Sequence, residues 1–142
     1  MKQLLLLATF SIGILFTSPV YSADLHKGME AFNVGDFATA LSEWEPLANQ
    51  GEPFAQYLMG VMYHEGNGVP QNTKVAIKWY TKAAEQGLHE AQRSLGVLYY
   101  SGEGVPQDYK TAFHWLTLAA NQGNDAAQVA LGMAYYTGKG AV

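Results

Sequence analysis

The chain has 142 residues, of which 49% are hydrophobic and 14% charged, with a formal net charge of −4 and no cysteine. This composition fits one small globular unit and is too hydrophobic for a disordered tail. The eight basic residues are scattered along the chain, so they form no phosphate-binding cluster and a nucleic-acid partner is not expected. The lack of cysteine excludes disulfides, zinc–thiolate sites and an acylated lipoprotein anchor.

Residues 1–22 have the layout of a secretory signal peptide. Lys2 gives a positive start, residues 4–16 form an apolar run without charge, and Pro19 ends it. Small residues at the two peptidase recognition positions predict cleavage after Ser22 or, as second choice, after Ala23. The alternative is an uncleaved anchor, but a bilayer span needs roughly 18–20 apolar residues. We therefore expect an exported protein, periplasmic in a bacterium or secreted, without a membrane span after processing.

A repeat of 36 residues dominates the rest of the chain. An Ala-Gln pair, a glycine, a tyrosine and a Val-Pro-Gln motif return at this interval in the same order. Such a period is typical of helical-repeat proteins, in which each unit is a pair of helices that stacks on its neighbours. The recurring positions are Ala55, Ala91 and Ala127; Gly60, Gly96 and Gly132; Tyr63, Tyr99 and Tyr135; and Val69-Pro70-Gln71 with Val105-Pro106-Gln107.

Each unit predicts two helices, which we name A and B. In the second unit, helix A covers about residues 55–64 and ends at Gly66, which suits the left-handed conformation that stops a helix. After an extended proline-containing loop, Asn72 is the predicted N-cap of helix B, and Asp108 is its equivalent in the next unit. Asp125 is the predicted cap of the last helix A.

Helix A contains a glycine at the same phase in three units, although glycine costs about 1 kcal/mol relative to alanine there. This recurrence predicts that a neighbouring helix approaches the backbone closely, with Trp79 or Trp115 filling the space beside the glycine. In helix B of the second unit, Ala76, Trp79, Ala83 and Ala84 follow the spacing of a core-facing stripe. We therefore expect the tryptophans to belong to the core.

The first unit differs from the others because its two helices are joined by a shorter link. Helix A there covers about residues 25–32, and residues 33–37 replace the longer loop. A short turn is typical of an ordinary tetratricopeptide unit of 34 residues. The chain therefore divides into a tetratricopeptide-like unit over 23–54, two 36-residue units over 55–90 and 91–126, and a partial unit over 127–142.

The repeated pattern Ala-x3-Leu-Gly-x2-Tyr, Gly-x-Gly-Val-Pro, Ala-x2-Trp and Ala-Ala-x2-Gly resembles the Sel-one-like repeat (SLR) family, a relative of the tetratricopeptide repeats. The resemblance covers residues 55–140 closely and the first unit loosely. It implies an all-α fold, a short right-handed α-solenoid of antiparallel helix pairs, with a concave face made mainly by the A helices. It also implies an adaptor or scaffold that binds a protein or peptide, often in the bacterial cell envelope.

We find no motif for catalysis, a metal or a cofactor. His89 and His64 each precede a glutamate, but the second histidine of a zinc-protease helix is replaced by Arg93 and Gly68. No Ser-x-x-Lys motif occurs. We therefore predict a protein that is not an enzyme and has no cofactor. The alternative is a cell-envelope hydrolase with penicillin-binding or β-lactamase-like activity, as reported for a cysteine-rich SLR branch whose cysteines are all missing here.

The candidate binding surface is a strip of positions on the A helices that differ between units. Two such positions lie seven residues apart, and a seven-residue step returns to the same helical face. Tyrosine, arginine and histidine are residue types that work well in interfaces. The alternative is a half-exposed face without a binding role. The strip consists of Tyr57, Arg93 and Val129 and, seven residues later in each helix, of His64, Tyr100 and Tyr136.

The last helix A is as apolar as the internal ones, and no helix B follows it in the sequence. Solenoids need atypical end units because an internal unit's apolar face would otherwise meet water. We expect this helix to cap the third unit and to leave a hydrophobic edge for self-association or for a partner. The alternative is a chain truncated relative to longer relatives. The apolar residues are Val129, Leu131, Met133, Ala134, Tyr135 and Tyr136.

Overall fold

A computed structural model describes residues 23–139; the predicted signal peptide lies outside the described residues. Within this range the chain forms seven helices and no strand, as the all-α prediction required. None of the described helices has the length and hydrophobicity that crossing a bilayer demands. The helices are α1 (Leu25–Asn33), α2 (Phe37–Asn49), α3 (Pro53–Glu65), α4 (Thr73–Glu85), α5 (His89–Ser101), α6 (Tyr109–Asn121) and α7 (Asp125–Tyr136).

The helices stack as a solenoid of antiparallel pairs. Each packs mainly against its neighbours in sequence, and α5 also contacts α7, so these two A helices lie side by side. Short links between consecutive helices make the neighbours antiparallel. The core is correspondingly divided into three clusters of buried side chains that follow one another along the stack. The α-solenoid expected from the repeat is confirmed.

Side-chain caps mark the start of six of the seven described helices, α5 being the exception. Asn72 Oδ1 accepts a hydrogen bond from the Val75 amide at 3.2 Å, and Asp108 caps α6 in the same way, as predicted. The prediction for α7 was wrong by one residue. Asn124 is its cap, because its Oδ1 lies 2.9 Å from the amide of the residue three positions on, and Asp125 is the first helical residue.

The loops after the internal A helices are fixed by glycine and glutamine. Gly66 and Gly102 end α3 and α5 with φ of 75° and 77°, which is the left-handed conformation that glycine adopts without strain. The Gln71 side chain then donates to the carbonyl of His64 at 2.8 Å. Gln107 repeats this bond one unit later. The recurring Val-Pro-Gln motif therefore fastens the loop to the end of helix A.

The glycines inside α3 and α5 face the following B helix, as predicted. A Cβ added to Gly60 would lie 2.4 Å from the Tyr80 ring, and one added to Gly96 would lie 2.5 Å from Cγ of Leu116. Both distances are far below normal van der Waals contact, so only glycine fits in this packing. Gly132 differs, since a Cβ there would meet no atom within 4 Å.

The tryptophans do not fill the space beside these glycines, which corrects the prediction. Trp79 and Trp115 stand one residue before the contacting side chain, and one residue turns a helix by about 100°. Both are partly buried: Trp79 packs against the core cluster of α1, α2 and α3, and Trp115 packs against the cluster of α4 and α5. In the first unit, Trp44 occupies the contacting position against Gly28, and its Nε1 donates to the Leu25 carbonyl at 3.2 Å.

A chain of glutamine hydrogen bonds joins consecutive units, and we call it the glutamine connector. Gln56 is only 5% exposed, and its Nε2 donates to the Ala48 carbonyl at 3.2 Å. Gln86 Nε2 donates to Gln56 Oε1 at 2.8 Å and to the Gly51 carbonyl at 3.0 Å. Buried polar groups are thereby satisfied at the junction. The next junction repeats the arrangement with Gln92, Ala84, Gln122 and Gly87.

The first unit contains an ion pair whose carboxylate is buried and whose lysine is partly exposed. Glu43 is 2% exposed and accepts from Lys27 Nζ at 2.5 Å and from the Asp24 amide at 2.9 Å. The Lys27 hydrogen bond, followed by that of the Asp24 amide, holds the pKa of the Glu43 carboxyl below its usual value. These bonds connect the residues at the start of α1 to the middle of α2.

Candidate functional site

The structure divides the predicted strip between two cavities that lie along the A helices. One cavity opens between α3 and α5 and has a volume of about 180 Å³. The other opens between α5 and α7 and has a volume of about 150 Å³. Tyr57, His64 and Arg93 line the first, Tyr100 lines the second, and Val129 and Tyr136 line neither, being 61% and 94% exposed.

We call the first cavity the polar pocket, defined by Tyr57, His64, Glu65, Tyr80, Arg93 and Glu103. Tyr80 is almost fully buried, at 2% exposure, and its ring packs against the rings of Tyr57 and His64 at centroid distances of 5.7 and 6.5 Å. Burial raises the pKa of the Tyr80 hydroxyl well above its ordinary value, so the group stays protonated. Within residues 23–139 this hydroxyl has no hydrogen-bond partner.

Hydrogen-bond partners are distributed unevenly among the charged groups of the polar pocket. The Glu103 carboxylate lies 2.9 Å from Nε2 of His64, and Glu65 accepts from the Asn67 side chain at 2.6 Å. Arg93 makes no hydrogen bond or ion pair with any residue in the described part of the chain. The carboxylates are therefore already hydrogen-bonded, whereas the guanidinium donors are not.

We call the second cavity the apolar pocket, defined by Val97, Tyr100, Leu116, Ala130 and Met133. Its walls are aliphatic apart from the Tyr100 ring. The Tyr100 hydroxyl lies 3.1 Å from Oγ1 of Thr137, so its polar end is hydrogen-bonded at the rim. This pocket presents hydrocarbon to a ligand and carries no charged lining residue.

The two pockets are one feature repeated at the 36-residue period. Each residue of the apolar pocket is the equivalent of a residue that lines the polar pocket one unit earlier. At the rim of each pocket, a side chain at the end of one A helix is hydrogen-bonded to a residue that follows the next A helix. These contacts join His64 to Glu103 and Tyr100 to Thr137. We name the surface that contains both pockets the A-helix groove. The equivalent pairs are Val61 and Val97, His64 and Tyr100, Tyr80 and Leu116, Ser94 and Ala130, and Val97 and Met133.

Sequence reasoning found the A-helix side of this groove and missed the rest. Tyr80 and Leu116 were overlooked because the neighbouring tryptophans are the more prominent aromatic repeat. Their position is the signal that could have identified them. Tyr80 and Leu116 are 36 residues apart, and each stands four residues after the recurring alanine of helix B, Ala76 or Ala112. Glu103 was overlooked because it lies in a loop, and Met133 was assigned only to the exposed edge of the last helix and not to the groove.

The cavities are too small for a typical cofactor or metabolite, whose sites measure about 300–1,000 Å³. Each matches a single amino-acid side chain. Among residues 23–139, no group of three or more histidine or carboxylate side chains is arranged to hold a metal ion.

Stacked helix pairs with a repeated groove define an α-helical repeat protein. The Sel1 repeat profile matches residues 53–88, 89–124 and 125–142. The chain therefore belongs to the Sel1 repeat family, which confirms the SLR resemblance. Sel1 repeats are generally protein–protein interaction modules.

Two solved structures are similar to the chain over most of its length. A Sel1 repeat protein from Oxalobacter formigenes is 33% identical with a TM-score of 0.78, over 82% of this chain and 48% of that one. The protein c5321, a protective antigen of uropathogenic Escherichia coli with an SLR fold, is 33% identical with a TM-score of 0.72, over 84% of this chain and 30% of that one. The chain thus spans less than half of either relative. No curated protein matches it.

Proposed function

We propose that this chain is an exported adaptor that binds a segment of a partner protein in the A-helix groove. The observation that carries the proposal is the pair of adjoining pockets, each of side-chain size, formed by equivalent positions of successive units. A repeat array recognises extended partners through such surfaces. The family's general role as an interaction module supports the same function.

Affinity capture from a cell-envelope extract tests the groove. The bait is the mature chain, and the test variant replaces Tyr57, Arg93 and Tyr100 together by alanine. These side chains line the pockets and lie outside the inter-helix glycine contacts, so we expect a helical, folded variant that captures less partner. Circular dichroism establishes the fold of the variant before capture is compared.

A matched control replaces three exposed residues of the B helices, Lys74, Glu85 and Thr117, by alanine. These positions lie outside both pockets, so the control should capture the same proteins as the parent. If the folded groove variant retains its partners as fully as this control does, the binding site lies elsewhere on the molecule.

Export is the second part of the proposal and rests on the signal-peptide layout of residues 1–22. We expect the mature protein to begin at Ala23 or, failing that, at Asp24, and to be recovered from the periplasm or the medium. N-terminal sequencing of the protein from fractionated cells measures this. Recovery of a membrane-bound form that retains Met1 would contradict both the processing and the compartment.

The proposal also includes the absence of enzymatic activity. Purified mature protein should not hydrolyse a chromogenic β-lactam, because neither pocket is lined by a serine nucleophile with a lysine or histidine base bonded to it. Ser94, the serine in the polar pocket, donates to the Glu90 carbonyl of its own helix. Turnover that the groove variant loses would overturn this part and favour the hydrolase alternative.

Self-association through α7 is the last part of the proposal. Val129, Met133, Tyr135 and Tyr136 are 60–94% exposed on this helix, and exposed apolar surface of this kind favours association. Light scattering of the mature protein should detect a dimer, and Val129→Lys with Tyr136→Lys should reduce it to a monomer. A parent protein that stays monomeric at high concentration would contradict it.

A further inference from the structure

The chemistry of the A-helix groove changes from one unit to the next, although the pocket geometry repeats. Building on the proposed function, we propose that the groove binds an extended peptide with a carboxylate side chain in the polar pocket. The same peptide places an aliphatic side chain, about three residues away, in the apolar pocket.

The polar pocket contains hydrogen-bond donors that lack acceptors. The Arg93 guanidinium and the hydroxyls of Tyr57 and Tyr80 have no hydrogen-bond partner among the described residues, and Tyr80 is 2% exposed. These donors keep some contact with solvent, so a ligand that supplies acceptor oxygens can replace the water there. A carboxylate fits best, because it accepts two parallel bonds from arginine.

A cationic side chain would fit this pocket less well. The two carboxylates that could attract it, Glu65 and Glu103, already accept hydrogen bonds from Asn67 and His64. A ligand ammonium would also lie close to the Arg93 guanidinium, and like charges in a partly desolvated pocket repel each other. Arg93 is therefore the charged lining residue that has no hydrogen-bond partner within residues 23–139.

The apolar pocket selects a different side chain. Val97, Leu116, Ala130 and Met133 line it with hydrocarbon, and the Tyr100 hydroxyl is already hydrogen-bonded at the rim. A polar side chain placed here would lose its water without gaining a partner. A leucine or similar aliphatic side chain instead gains from burial of apolar surface.

The spacing between the two ligand side chains follows from the helix packing. Val97 lines both cavities, so they adjoin each other. They are separated by one A helix, and packed helices lie about 8–10 Å apart. An extended chain advances about 3.3 Å per residue, so the two anchors stand about three residues apart, in either chain direction.

Fluorescence anisotropy with labelled synthetic peptides tests the inference on the mature chain. The probe carries glutamate and leucine three positions apart in a Gly/Ser background, and both orders are measured. We expect saturable binding of one order. Replacing the glutamate by glutamine, or the leucine by serine, should weaken binding at least tenfold, and shifting the spacing by one residue should also weaken it.

Variants of the protein assign each preference to its pocket. Arg93→Gln should weaken binding of the glutamate peptide at least tenfold and leave the glutamine peptide unchanged, whereas Lys78→Gln, at an exposed cation of helix B, should change neither. Met133→Gln should remove the advantage of leucine over serine. Leu118→Gln, at a partly exposed apolar residue outside the pockets, is its control.

Three results would overturn the inference: equal binding of the glutamate and glutamine peptides, tighter binding of a lysine peptide, or binding of no peptide in the set. If the glutamate and glutamine peptides bind equally and the groove substitutions abolish the binding of both, the carboxylate preference is refuted. The adaptor function then stands. The adaptor function itself fails only in the capture experiment with the groove variant, so the two failures are distinguishable.

Discussion

In Gly96→Ala the added methyl group would press against α6, whereas in Gly132→Ala it would meet no atom within 4 Å. The Gly96 Cβ would lie 2.5 Å from Leu116 Cγ and 3.1 Å from the backbone oxygen of Ala112. Optimal carbon–carbon contact is about 3.5–4.0 Å, so the overlap is about 1 Å. The leucine can rotate away, but the carbonyl moves only if α6 moves with it.

Two opposing contributions determine how Gly96→Ala changes the free energy of unfolding. Overpacking of a core costs about 1–3 kcal/mol, and the fixed carbonyl favours the upper part of that range, about 2–3 kcal/mol. Alanine recovers about 1 kcal/mol through its higher helix propensity. Gly96→Ala should therefore lower the free energy of unfolding by about 1–2 kcal/mol, whereas Gly132→Ala should raise it by up to about 1 kcal/mol.

Urea unfolding followed by circular dichroism measures both variants beside the parent. A double-mutant cycle with Leu116→Ala adds a second test, because removing the leucine side chain makes room for the new methyl group. Gly96→Ala should then be tolerated better in the Leu116→Ala background, with a coupling of about 1 kcal/mol. If Gly96→Ala is stabilising, as Gly132→Ala should be, the close approach of α5 and α6 is refuted.

Three further predictions concern stability. Gln92→Ala should cost about 1–3 kcal/mol in urea unfolding because it leaves buried partners unpaired, whereas exposed Gln128→Ala should cost less than about 0.5 kcal/mol; equal losses would refute the glutamine connector. The Glu43 pKa is lowered in the folded state, so its stabilisation is present above about pH 4.5 and is lost as the pH falls further; thermal melts should show this loss in the parent and not in Glu43→Gln. Asn124→Ala should cost about 1 kcal/mol as a lost cap, and Asp125→Ala should cost less; the reverse order in thermal melts would restore the original cap assignment.

Local chemistry explains the parts of the fold that were predictable. Asn72 and Asp108 cap their helices because a short polar side chain before a helix has a backbone amide within reach. Gly66 and Gly102 end helices because only glycine adopts that conformation freely. The predicted helix A over 55–64 falls inside α3, which also takes in the proline at its first turn.

The features of the fold that were not predicted correctly depend on how the helices are rotated relative to one another. Trp79 and Tyr80 differ by one position, which is about 100° of rotation around the helix. Both positions follow the same 36-residue period, so the period does not show which of them faces Gly60. The recurring glutamines were visible, but Gln86 bonds to the Gly51 carbonyl across a unit boundary, and spacing along the sequence does not show which partners meet.

The candidate strip was only partly predictable for a related reason. Equivalent positions share a helical face, which brought Tyr57 and Arg93 to one pocket. The pocket also needs side chains from helix B and from the loop, such as Tyr80 and Glu103, and a second A helix beside the first. Val129 and Tyr136 occupy the equivalent face of α7, but no described helix lies next to that face.

The glutamine connector makes the units interchangeable. Its donors and acceptors recur at a spacing of 36 residues, so a tandem duplication of residues 89–124 would recreate every bond at the new junction without any compensating mutation. Each duplication would lengthen the groove by one further pocket. Because the connector residues lie outside the pockets, the new copy could then diverge in ligand preference while its attachment to the array stayed constant.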